Sequence, residues 1–132
     1  MYTQPDEIAS EVESSLYYDE FDFKIYSDVR SLAAALELCA ADNDRIYSAE
    51  PCSKIEKLRN NKYLGSFFTN SDINLLLDGK NNLYITYAVL NNTKITCQNK
   101  SDAPNYGDTR YAVHRSSTNE TSVECLKDKP TF

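Results

Sequence analysis

The chain has 132 residues, 41% hydrophobic and 26% charged, which suits one domain with one buried core and argues against wholesale disorder. Its net charge is -6, with Lys and Arg scattered and the acids crowded into the first third, so a nucleic-acid binder, which needs clustered cations, is not expected. Three glycines are too few for the usual phosphate-cradling loops, and no run approaches the roughly 18 apolar residues of a membrane span.

Residues 1–26 read as a partly helical acidic segment. Pro5, Asp6 and Glu7 make a helix opening, and Ile8, Val12 and Leu16 recur at helical spacing. The first seven residues lack the basic and apolar stretches of a signal peptide, so an exported chain is expected to be a mature or trimmed form. Phe21, Phe23 and Ile25 alternate in a way that leaves strand, helix and turn all open.

The strongest helix covers residues 27–41, with Ser27 or Asp28 as its cap. Val29, Leu32, Ala33, Leu36 and Ala40 form one apolar stripe, read as core packing. Asp42, Asn43 and Asp44 stop it. Alternate oxygens there resemble the start of a calcium loop, but the glycine at the sixth position is missing and Ser53 stands where the twelfth-position acid belongs. A helix-ending polar turn is the better reading. A short second helix follows Cys52; Ser53 and Glu56 have capping-box spacing, and Asn60 and Asn61 end it.

From Phe67 the period changes to two. Residues 73–77 form an apolar strand, and Asp78, Gly79, Lys80 and Asn81 supply turn chemistry. A strand over 83–90 turns at Asn91 and Asn92 and returns over 94–98. A polar loop, 99–109, carries Pro104 and Gly107. Strands over 111–115 and 121–126 close a last hairpin. The class is α+β: an amphipathic helix on an antiparallel meander, a short helix between them, in one domain over residues 1–132.

None of the four cysteines lies in a Cys-x-x-Cys, and the lone His114 is far from all of them, which disfavours structural zinc. Two disulfides are expected. Of three connectivities, Cys39–Cys52 and Cys97–Cys125 are favoured because each joins one local unit, and they point outside the cytosol. No catalytic residue, metal or cofactor is expected: His114 reads as a structural mid-strand histidine with no nucleophile assigned to it. Asn91, Asn99 and Asn119 begin N-x-S/T triplets.

Residues 27–47, running Ser27-Asp28-Val29-Arg30 through Ala34-Ala35-Leu36-Glu37 to Ala41-Asp42-Asn43 and Tyr47, resemble a bacterial type IV pilin or pseudopilin. That family reads S-D-x-R-x-L-x-x-A-L-E along the exposed half of its first helix and A-D-N-x-x-Y at its end. The resemblance implies that the helix lies across an antiparallel sheet, with Cys97 and Cys125 bracketing a variable loop. It implies a non-catalytic filament subunit at the cell surface, with copies of itself or other pilin-type subunits as partners. The family's very apolar first helical segment has no counterpart here, since residues 6–24 are acidic; it is expected to have been trimmed or to come from a partner chain. Within the polar loop, Asn99, Lys100, Ser101, Asp102, Asn105, Tyr106 and Asp108 are the candidate contact residues, because a disulfide-pinned loop varies without unfolding the sheet. The alternative reading is a secreted, disulfide-stabilised interaction module: a host-factor binder, an inhibitor or an adhesin.

Overall fold

The structure, a computed structural model, describes residues 20–65, 68, 72–92, 95, 97 and 108–132. Helix α1 (Glu20–Ala41) is rich in Ala and Leu, both strong helix formers. It therefore does not start at Ser27: the alternating Phe21, Phe23 and Ile25 belong to it. Neither Ser27 nor Asp28 caps the helix. Ser27 is exposed, and Asp28 pairs one turn back with Lys24. Tertiary contact decided the ambiguous turns. Ile25 and Tyr26 pack against the core, and the fully buried Asp22 reaches across to the sheet.

The helix ends as the Asp-Asn run dictates. Asn43 N–H (2.9 Å) and Arg45 N–H (2.7 Å) both donate to Ala40 O, with Asp44 and Arg45 in the left-handed region at φ 59° and 62°. A 3-10 turn (Glu50–Cys52) leads to α2 (Ile55–Asn60). The expected capping box does not form, because Lys54 takes the N-cap position. Ser53, one residue too early, donates its hydroxyl back to Glu50 O at 3.1 Å. Asn61 closes the far end, its side chain donating to Lys57 O at 2.9 Å.

Strands β1 (Asn74–Asp78), β2 (Leu83–Val89), β3 (Thr109–Arg115) and β4 (Glu120–Leu126) form one antiparallel sheet in the order β1-β2-β3-β4. The return strand expected over 94–98 does not lie beside β2. That place belongs to β3, with Val89 opposite Tyr111. Of the five residues only Ile95 and Cys97 are described, and neither is in a strand. Both are buried, Ile95 in the core and Cys97 in a disulfide, so burial outcompeted laddering.

Period-two alternation gives the sheet two covered faces. Tyr84, Ala88, Ala112 and Val123 meet Val29, Leu32, Ala33 and Leu36 of α1 in the main core. Thr86, wholly buried, donates its hydroxyl to Val29 O at 3.1 Å and so ties helix backbone to sheet. The opposite face buries Ile85, Tyr87, Tyr111 and Val113 in a second cluster. Residues 127–132 fold back along that side: Arg115, held by Glu124 through two hydrogen bonds of 2.8 and 2.9 Å, donates Nη1 to Thr131 O, and Pro130 is buried. No helix among the described residues is long and apolar enough to cross a membrane.

Candidate functional site

The fold concentrates its unusual buried polar groups at the base of the loop between β2 and β3. Residues 98–107 lie outside the described residues, and with them Asn99, Lys100, Ser101, Asp102, Asn105 and Tyr106. Asp108 is described, and it is 4% exposed, so it belongs to the foundation of the loop and not to a contact surface. The disulfide Cys97–Cys125 joins the ascending stem to β4, with Cα atoms 5.5 Å apart. Beside it, Arg110 stands opposite Cys125 in the sheet register and is 1% exposed. Its guanidinium donates to Asp108 O at 2.9 Å and to Ile95 O at 3.4 Å, one carbonyl from each stem. A cation is costly to bury unless such acceptors replace its water. Arg110 thus staples the two stems at the mouth of the loop.

Helix α1 completes the base. Asp22 is wholly buried, and its two carboxylate oxygens accept the backbone N–H groups of Asn91 (2.6 Å) and Asn92 (2.8 Å) where the chain leaves β2. A carboxylate accepting amides makes bonds about twice as strong as neutral pairs. Sequence reading missed both residues, although a signal existed. Asp22 lies seven residues before Val29, in phase with the apolar stripe, and Arg110 alternates with the inward Ala112.

At the other end of the helix the second disulfide, Cys39–Cys52, ties α1 to the 3-10 turn with Cα atoms 5.8 Å apart. Asn43 donates to Cys39 O at 2.8 Å and lies 3.8 Å from both sulfurs. Asp42 accepts the Tyr63 hydroxyl at 2.7 Å. These two side chains are engaged with protein partners, as a helix-ending turn requires. Among the described residues no group of three or more His, Cys, Asp or Glu side chains is arranged to hold a metal. Asn82 clamps the following segment to the β1–β2 turn, donating to Arg45 O (2.9 Å) and accepting Tyr47 N–H (3.1 Å).

A polar seam runs between α1 and the sheet. Glu37 accepts the Tyr47 hydroxyl at 2.8 Å and the Tyr84 hydroxyl at 3.0 Å. Burial, helped by Glu37, pushes the Tyr47 phenol up to about 12 and raises Tyr84 further still. Both phenols therefore stay protonated and act as donors. Tyr84 stacks on His114 with ring centroids 5.8 Å apart, and His114 Nδ1 hydrogen-bonds Thr121 Oγ1 at 2.8 Å. His114 is 8% exposed, and burial lowers its pKa from 6.5 against the pull of Glu37 and Asn119. Tyr26 closes the row by donating to Thr121 O at 2.9 Å. Every acidic oxygen of Glu37 in this seam is occupied by a phenol, so the seam fastens helix to sheet. On the outer flank of α1 a half-open cavity of about 390 Å³ lies between Lys24, Asp28, Ser31 and Leu38 on one side and Tyr63 and Phe68 on the other.

Comparison of the chain with protein-family models, with curated proteins and with solved structures finds no match. The described residues form an α+β domain with two disulfides, which suit an oxidising, extracellular environment.

Proposed function

We propose that the chain is a structural, non-catalytic subunit of a type IV pilus-like filament outside the cell. The observation that carries this reading is a combined placement. The stripe Val29, Leu32, Ala33 and Leu36 lies across a four-stranded antiparallel meander, and the disulfide Cys97–Cys125 brackets a loop at the edge of the same layer. A filament subunit needs a rigid head that carries a variable surface. Asp22, Arg110 and the disulfide supply rigidity at the loop base, so the sequence above them can change without disturbing the core. In this reading the partners are copies of the chain or related subunits, and the apolar helical stem belongs to the assembled filament. The test is immuno-electron microscopy of filaments sheared from the cells that make the protein, using antibodies raised against residues 20–132. Decorated filaments are the expected result. Antigen found only as free protein in the medium, with filaments undecorated, would overturn the reading in favour of a secreted interaction module.

A further inference from the structure

The two edges of the sheet differ. At β4 the outer side is in use, since Tyr26 reaches over it to Thr121 O. At β1 it is open. The direction of the ladder follows from β2: Ser116 N–H donates to Tyr84 O, and Leu90 N–H donates to Arg110 O, so the even-numbered residues of β2 turn their backbone groups toward β3. The odd-numbered residues Leu83, Ile85 and Tyr87 then bond to β1, where they face Asp78, Leu76 and Asn74. This leaves the N–H and C=O of Leu75 and Leu77 pointing outward, and no other part of the described chain bonds to them. Proteins blunt such edges with proline, inward charges, bulges or a covering segment. Strand β1 has no proline, no internal charge and an unbroken register, and its three leucines are all partly exposed.

From this edge we infer that a second copy of the chain pairs with β1 antiparallel about a twofold axis through Leu76, joining two sheets into one of eight strands. The sequence is self-complementary in that register. Leu75 faces Leu77 of the other copy and forms a hydrogen-bonded pair, as does Leu77 with Leu75, which makes four backbone bonds from the four open groups on each side. Leu76 meets its own equivalent, and Asn74 meets Asp78. Two steps beyond, in the flanking turns, the same register brings Asp72 of each copy toward Lys80 of the other. Opposite charges there favour this partner and this register over a slipped one. A net charge of -6 on each copy opposes association, but repulsion between distant charges is screened within about 8 Å at physiological salt. The self-pairing does not depend on the filament reading and is a property of the head alone.

Sedimentation velocity on the oxidised chain over a concentration series tests the inference. Wild type is expected to pass from monomer to dimer as concentration rises. Asp72→Lys and Lys80→Asp, both at exposed positions, each weaken the dimer by about fivefold, and the double exchange D72K/K80D recovers the wild-type value. A covalent trap reads the register independently. Side chains that face each other across a non-hydrogen-bonded pair are about 5 Å apart. Leu76→Cys is therefore expected to give a disulfide-linked dimer on oxidation, and Asn74→Cys, far from its own equivalent in this register, a monomer. A wild-type chain that stays monomeric throughout, including one that dimerises only with a different protein, overturns the inference. So does a dimer indifferent to both charge changes, or cross-linking through Asn74→Cys and not Leu76→Cys.

Discussion

Asp22→Ala is the sharpest perturbation of the loop base. The carboxylate is fully buried and accepts two backbone amides, at 2.6 and 2.8 Å, from a segment about seventy residues away in sequence. A hydrogen bond to a charged group contributes about 1.5–3 kcal/mol net. The lower end applies here, because Asn91 is exposed and Asn92 half-buried, so both amides regain water when the acceptor goes. Two bonds at that value give a loss of about 3 kcal/mol, or roughly 10 °C in the thermal midpoint for a domain of this size. Circular dichroism melts of the oxidised protein measure the first quantity, and hydrogen exchange at the Asn91 and Asn92 amides measures the local one. Asp22→Asn keeps one acceptor oxygen and is expected to lose about half as much. If Asp22→Ala shifts the midpoint by less than about 2 °C, the size expected of a surface substitution, and both amides remain protected, then the helix does not hold the loop base and the reasoning fails.

The remaining expectations concern pH and sulfur. Burial holds the folded pKa of His114 below 6.5, so the folded state binds this proton less readily than the unfolded chain does. The stabilisation is complete above pH 6.5 and is lost as pH falls through that value toward the folded pKa. Urea midpoints at pH 7.5 and 5.5 should converge in His114→Phe relative to wild type; an unchanged gap refutes the assignment. Removing Cys39–Cys52, with its separation of 13 residues, is expected to cost about 3 kcal/mol, and removing Cys97–Cys125, with a separation of 28, about 3.5 kcal/mol. Denaturant unfolding of the paired Cys→Ser variants checks the order. A larger loss at Cys39–Cys52 would show that the constraint on the unfolded chain is not the governing effect.

Much of the architecture was legible in the sequence because it rests on local periodicity. The stripe from Val29 to Ala40 has only one apolar face to bury, the alternation over β2 can only be a sheet, and the Asp-Asn run after Ala41 can only end a helix. Both disulfides were legible too, since each joins cysteines within one local unit. What could not be read depends on partners distant along the chain. The turns holding Phe21 and Ile25 are undecided by pattern and become helix because Asp22 meets Asn91 and Asn92 across the fold. The neighbour of β2 is β3 and not residues 94–98, because Ile95 and Cys97 gain more from burial and a sulfur bridge than from a ladder at that edge. Arg110 falls in sequence between the polar loop over 99–109 and the strand over 111–115 and carries no pattern of its own; only the convergence of two stems gives its guanidinium the carbonyls that make burial tolerable. Short-range spacing decides which elements form, since backbone geometry repeats locally, whereas the pairing of elements and the partners of buried charges are settled by three-dimensional proximity that spacing does not encode.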